Sequence, residues 1–308
     1  MTTTAPQEVF LQAFHAAYPA VTAEAFGRGH APDGRSSYEI LCDQVAGSMR
    51  VLDLGCGDGL LLELLARKAG RQLAGVDLSS HSLALARRRP ALSAAKLEEG
   101  RAQELPFADD SFDACVSHMA LMLMSEIEQV AAEIARVLSP GGVLACVVGG
   151  GAVGGEAYER FLTLLRRTIE ETPASQRIPA LGDRRTRSRE GLDEVLEPAG
   201  FAAVGWETVP IDLSGPVEQV WAAVSSLYDL GPLDRATVER LRTAFFAEVR
   251  DMTTSDGLVP CAFKICLATT RLREGVSGGS CSKPRRLARS LDGDGGGNVL
   301  TSSAVEAE

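Results

Sequence analysis

Three glycines set two apart, Gly55, Gly57 and Gly59, follow an apolar stretch, Val51-Leu52-Asp53-Leu54, and lead into a run of strong helix formers from Leu60 to Leu65. Glycines at this spacing bring bare backbone against a ligand, because no Cβ intervenes and left-handed φ values carry no steric cost. A second apolar stretch, Leu73-Ala74-Gly75-Val76, delivers Asp77 at its end. A carboxylate about 20 positions beyond a glycine loop grips the hydroxyls of a ribose. The pair predicts an adenosine-type cofactor. A nicotinamide dinucleotide is disfavoured, since Leu60 stands where the pyrophosphate fingerprint needs its third glycine.

The line from Val51 to Gly59 resembles the first motif of the class I S-adenosylmethionine-dependent methyltransferases, small-molecule branch. The similarity continues in order through Ala74-Gly75-Val76-Asp77-Leu78-Ser79, Glu104-Leu105-Pro106-Phe107-Ala108-Asp109-Asp110-Ser111-Phe112-Asp113 and Glu133 to Gly142, and covers residues 49–150. It implies S-adenosyl-L-methionine as cofactor and a small-molecule acceptor methylated at oxygen, nitrogen or carbon, in a setting such as specialised metabolism. The runner-up keeps the cofactor and drops the transfer: a non-methylating cyclase or a regulatory protein on the same fold.

The resemblance also distributes roles. Gly55, Cys56 and Gly57 would lie along the methionyl part of the cofactor, and Asp53 would orient the loop and the cofactor amine, unless it is a plain loop carboxylate. Asp77 would take both ribose hydroxyls and Leu78 would pack on the adenine. Relatives commonly place an aspartate on the adenine amino group where this chain has Arg101, which cannot accept a hydrogen bond. That task then falls to the Ala102 backbone, to Gln103, or to water. His118 falls beside the sulfonium and the incoming acceptor, where it is a cofactor contact, a general base, or an unreactive packed ring. His15, Tyr18, His30 and Tyr38 are further bases without a motif. The run from Met119 to Met124 is core or an adaptable apolar floor. Ser117-His118-Met119-Ala120 replaces the Asp/Asn-Pro-Pro-Tyr pattern of amino methylation, which disfavours nucleic-acid bases and protein glutamine as acceptors.

The chain has 308 residues, a formal net charge of -10 and 45% hydrophobic residues, which suits a soluble enzyme with a sizeable core and argues against a nucleic-acid partner. No apolar stretch approaches a membrane span, and the amino terminus lacks a basic stretch leading into an apolar segment, so no membrane partner and a cytoplasmic location are expected. Seven cysteines show no Cys-x-x-Cys pair, so neither a metal site nor a disulfide framework is expected. The chain is expected to act as a monomer or homodimer. Arg87-Arg88-Arg89 reads as the cationic end of a helix, and the arginines of 184–189 read as a solvated loop rather than an anion site.

Positioning these residues requires alternating strands and helices. The pattern predicts an α/β fold, a Rossmann-like seven-stranded, mostly parallel sheet sandwiched by helices, with helical cap and lid elements. Strands are expected at 50–54, 72–77, 96–99, 112–117, 143–148, 201–210 and 259–269, and core helices at 59–68, 80–88 and 126–138, with Pro140-Gly141-Gly142 as a turn. Residues 1–48 read as a helical cap whose apolar face is Val9, Phe10, Ala13, Phe14 and Ala17, with the segment 27–35 able to close over the cofactor. Residues 49–272 form the core, carrying lid insertions at about 153–188 and 214–252 that would build the acceptor pocket together with the amino-terminal helix. Residues 273–308 lack periodic apolar residues and are expected to be disordered and dispensable.

Overall fold

Val51, Leu52 and Leu54 are completely buried because β1 (Arg50–Leu54) runs through the middle of a sheet covered on both faces. The structure, a computed structural model, describes residues 5–275. The expected disordered tail lies outside the described residues except for its first three, and of these Arg273 donates its backbone N–H to Gly200 at 3.0 Å.

Before β1 come α1 (Pro6–Ala17), α2 (Val21–Phe26) and α3 (Ser37–Gln44). After it the chain alternates through α4 (Leu60–Leu65), β2 (Gln72–Asp77), α5 (Ser80–Ala86), β3 (Lys96–Glu99), β4 (Phe112–His118), α6 (Ile127–Val137) and β5 (Leu138–Ala152). It then continues through α7 (Ala157–Glu171), α8 (Arg189–Leu196), β6 (Gly205–Asp212), α9 (Val217–Val224), α10 (Arg235–Glu248) and β7 (Ala262–Arg271). The seven strands lie in the order β3-β2-β1-β4-β5-β7-β6. β1 pairs in parallel with both β2 and β4, and β7 runs antiparallel between β5 and β6. The order therefore reverses direction between β1 and β4, and the crevice beyond the carboxyl ends of these strands is where such a sheet binds ligands.

Several boundaries differ from expectation for physical reasons. β5 starts at Leu138, opposite Phe112, and bulges at Pro140–Gly142 before its register resumes at Val143, so the turn residues interrupt a strand rather than precede it. The strand also runs on to Ala152 through glycines that carry no strand signal, and Gly150 fits there because a Cβ would stand 2.9 Å from Cys266 Sγ. α5 ends at Ala86, and Arg89 beyond it reaches back to Asp58 and Glu63 instead of complementing a helix end. The segment 27–35 follows β6, with His30 bridged to Asp212, and does not cover the crevice.

The buried side of α1 is Glu8, Leu11 and Phe14, whereas Val9 is 54% exposed and Ala13 and Ala17 face solvent. The expected apolar face is thus right at Phe14 and in part at Phe10, which packs on Phe14 and Tyr228, and misplaced at Val9, Ala13 and Ala17, because Glu8, paired to Arg101, takes an inward position. A separate apolar cluster, built from Phe161 of α7, Val220 of α9 and Phe245 of α10, joins the lid helices to one another. No helix among the described residues is long and apolar enough to cross a membrane.

Gly75 sits in the centre of β2, where a Cβ would meet Cys56 Sγ at 2.7 Å and Leu62 Cδ1 at 2.9 Å. Both neighbours are held in the core, so Gly75→Ala is expected to destabilise the fold by about 1–3 kcal/mol through overpacking. Urea unfolding should show a lower midpoint at unchanged slope, and an unchanged midpoint would mean the β2–α4 contact has slack.

Candidate functional site

The glycine loop folds back onto the end of β2. Gly55 and Cys56 donate their N–H groups to Val76 O at 2.8 and 3.1 Å, and Gly57 donates to Asp77 Oδ2 at 2.8 Å. Asp77 Oδ1 accepts the Ser79 N–H at 2.8 Å, which leaves each carboxylate oxygen with a further lone pair. Burial raises the Asp77 carboxyl, while these two N–H donors and the nearby His15 oppose that shift.

The glycines serve different ends. At Gly57 (φ +52°) a Cβ would meet nothing within 4 Å, so this backbone faces open space that a side chain would fill. Gly55 (φ +77°) meets a packing demand, since a Cβ would stand 2.4 Å from Ala120 Cβ, and it also lines the first two cavities. Gly59 likewise packs on Ala86 and Leu92.

Three cavities follow one another along the crevice. The first, lined by Gly55, Asp77, Leu78, Gly100, Ala102 and Gln103 below and by α1 above, holds about 80 Å³. The second, about 70 Å³, is lined by Cys56, Gly57, Asp77, His118 and Tyr38 among others and shares His15, Gly55 and Asp77 with the first. The third is an outer chamber of about 500 Å³ that shares Met119, Leu123 and Tyr228 with the second. Two of the three fall well below the roughly 300–1,000 Å³ of small-molecule sites. Glu8, Leu11, Gln12 and His15 of α1 lie across the first, and His15 with residues 19–23 lies across the second.

Most of the expected site residues therefore come together: Gly55, Cys56, Gly57, Asp77, Leu78, Ala102, Gln103 and His118 all line the first two cavities. Asp53 does not. Strand alternation turns it to the side of Val51, and Oδ1 is buried with no partner among the described residues. Burial pushes its carboxyl well above the usual range, the opposite of an ionised anchor for a cofactor amine. Gln103 is also committed, donating Nε2 to Ser125 O at 2.9 Å while its backbone carbonyl accepts from Gln129.

His118 is a buried ring, stacked on Tyr38 at 3.8 Å between centroids and hydrogen-bonded through Nε2 to Ser37 Oγ at 2.9 Å. Burial pushes its pKa down to about 3, far from the working range of a general base. The geometry is that of a packed ring which also lines the second cavity, and the lowered pKa disfavours the general-base role. Met119 beside it adopts φ +56°, a strained conformation for a side chain of this size, at the point where the second and third cavities meet.

Other residues belong to the site without having carried a motif. His15 Nε2 lies 3.1 Å from the Tyr228 hydroxyl, at the junction of all three cavities. Glu8, Gln12 and His15 fall at i, i+4 and i+7, a polar stripe on an otherwise apolar helix that was visible in the sequence. Arg187 lines the outer chamber, so the arginine run is more than a solvated loop. α10 and α1 do not line that chamber; α2, the loop 178–181 and residues 226–229 do. Among the described residues no His/Cys/Asp/Glu cluster is arranged to hold a metal ion.

Residues 52–146 match the methyltransferase domain family. A methyltransferase of Streptomyces halstedii, GfsG, is 40% identical over 35% of this chain and 40% of its own length. The malonyl-[acyl-carrier protein] O-methyltransferase of Pectobacterium atrosepticum is 38% identical over 32% of this chain and 37% of its own. The match thus spans less than half the length of either relative. Among solved structures, the [4+2]-cyclase SpnF superposes with a TM-score of 0.54 at 22% identity, covering 88% of this chain and 97% of that one, a likeness of fold. Over residues 52–146 the chain is thus similar to the class I S-adenosylmethionine-dependent methyltransferases, whose cofactor is S-adenosylmethionine, and it places that segment on a Rossmann-like sheet.

Asp77→Ala is expected to weaken S-adenosylhomocysteine binding by about 1–3 kcal/mol in calorimetric titration, through lost hydrogen bonds to the ribose. Unchanged affinity would move the ribose elsewhere. His118 makes a pH prediction. Unfolded, the imidazole takes its proton near 6.5, and folded only near 3, so between these values the unfolded chain binds more protons and stability falls as pH falls. Urea midpoints from pH 7 to 4.5 should therefore decline less steeply in His118→Asn, by up to about 1.4 kcal/mol per pH unit. Parallel slopes in the two proteins would place the His118 ring in a more hydrated setting.

Proposed function

We propose that this protein transfers a methyl group from S-adenosylmethionine to a small, largely apolar acceptor. The observation that carries this reading is the outer chamber, which joins the glycine-loop cavity at Met119, Leu123 and Tyr228 and is walled by Phe26, Ile178 and Phe263. The similarity to an O-methyltransferase and to a second methyltransferase, both over the cofactor half, supports the transfer.

The residues present fit an adenosyl cofactor. Asp77 would take the ribose, Gly57 offers uncovered backbone, and Leu78 and Ala102 offer apolar walls to a purine. When bound, the cofactor supplies an activated methyl group on a sulfonium. The chain's own work is alignment and the exclusion of water. His118, held by Ser37 and Tyr38, braces the second cavity, and Met119 shapes the passage to the chamber. Where the acceptor must lose a proton, the His15–Tyr228 pair is the polar group at the junction. Tyr158, Arg187 and Asp229 give the chamber a few polar positions, which suits an acceptor with an apolar body and one polar end. The helical insertions α7, α9 and α10 support a place in specialised metabolism.

Methyl-labelled S-adenosylmethionine incubated with the protein and a fractionated extract should place label on small molecules and leave nucleic acid and protein fractions unlabelled. Ile178→Trp, which narrows the chamber, should lower kcat/KM for that acceptor by at least about tenfold while cofactor affinity stays within about twofold. Label confined to the cofactor despite normal binding would favour the non-methylating reading.

A further inference from the structure

The side of α1 that lies on the first cavity carries a carboxylate with only one oxygen in use. Glu8 is 3% exposed, and its Oε1 accepts both Arg101 Nε at 3.1 Å and Nη2 at 2.8 Å. Its Oε2 is buried with no partner among the described residues, in a side chain that lines the cavity. Arg101 also bonds Glu126 at 2.9 Å, at the start of α6, so the pair is fixed to the body of the protein and Glu8 cannot swing away. An unpaired buried carboxylate oxygen is costly, and a donor that enters the cavity recovers that cost.

The position of Glu8 along the helix says which donor this is. His15 stands at the Asp77 end of α1, and Gln12 reaches Leu78 O at 3.5 Å in the middle. Glu8 stands over the loop that follows β3, about 10 Å further along the helix by its rise per residue. With a ribose on Asp77 and the glycine loop on its other side, the base extends beneath α1 towards Glu8. Gln103, another polar side chain at that end, turns its amide nitrogen to Ser125, and its Oε1 is the competing acceptor that a Gln103→Leu variant separates from Glu8. The donor on a purine edge at this distance is the exocyclic amino group of adenine.

We infer that Glu8 Oε2 accepts the adenine amino group of the cofactor, so that recognition of the base comes from the amino-terminal helix and Arg101 serves as the anchor of that carboxylate. The inference rests on the S-adenosylmethionine reading above. It makes Glu8 a binding residue and Arg101 a positioning residue, and it requires α1 to be seated whenever the base is bound.

The test is calorimetric titration of the full chain with S-adenosylhomocysteine and with S-inosylhomocysteine, whose 6-oxo group cannot donate. The unsubstituted protein should prefer the 6-amino ligand by about tenfold or more, the scale of a charge-assisted hydrogen bond. Glu8→Gln should reduce that ratio to below about threefold, Glu8→Asp, which keeps the charge but draws the oxygen back, should reduce it as well, and Gln103→Leu should retain it. Circular dichroism of each variant identifies any loss of fold, and the two Glu8 variants then check one another. An undiminished ratio in both Glu8 variants, or no preference in the unsubstituted protein, overturns the assignment. Failure of the unsubstituted protein to bind either ligand overturns the cofactor reading itself, and is distinguishable because no ratio is then obtained.

Discussion

The site depends on one carboxylate. Asp77 receives the Gly57 N–H from the glycine loop and the Ser79 N–H from the start of α5, and so ties the ends of two neighbouring strands to one helix entrance. The loop can fold back this far only because Gly55 passes Ala120 without a Cβ and takes a left-handed φ. Burial opposes ionisation of the carboxyl, and the backbone donors offset that cost before any ligand arrives. The arrangement is thus preorganised: hydroxyls of a ribose would add to a carboxylate whose orientation is already fixed by the fold.

Arginines perform the corresponding task around the rim. Arg89 joins Asp58 of the glycine loop to Glu63 of α4. Arg136 binds the carbonyls of Leu105 and Phe107 while pairing with Glu133, whose other oxygen accepts the Leu105 N–H at 2.7 Å. Arg101 joins α1 to α6. A single exposed ion pair contributes little to stability. These differ because each guanidinium engages two or more partners on different segments with its rigid fork of donors, so the gain is geometric definition of the loops. Charge patterning alone does not show these pairings: within the two arginine runs Arg89 and Arg185 hold neighbouring segments, while Arg87 stands at a helix end and Arg184 and Arg187 are exposed, as the sequence suggests.

The sheet and the glycine loop were legible because parallel strands buried on both faces leave continuous apolar runs, bounded here by Gly55, Asp77 and similar punctuation. Strand ends made of glycine, as at Gly149 to Gly151, left no such trace. α1 failed in a more instructive way. Apolar periodicity assigns a helix's buried side on the premise that every inward residue is apolar, and α1 breaks it by lying on a cavity that Glu8, Gln12 and His15 help to line while Val9 faces out. Asp53 departs from expectation for the converse reason, since a motif position does not reveal which way a strand residue points, and strand alternation places it on the α3 and α4 side, where burial raises its carboxyl above the usual range.

The same helix links the two halves of the chemistry. α1 offers Glu8 at one end of the cofactor crevice and, about two turns on, His15, which touches Tyr228 in the wall of the outer chamber. The first cavity lies directly against α1, and His15 lines both the first and the second. Because His15 also touches Tyr228 in the wall of the outer chamber, one helix, tied to the body of the protein by Arg101, sets the width of the crevice and the edge of the chamber together.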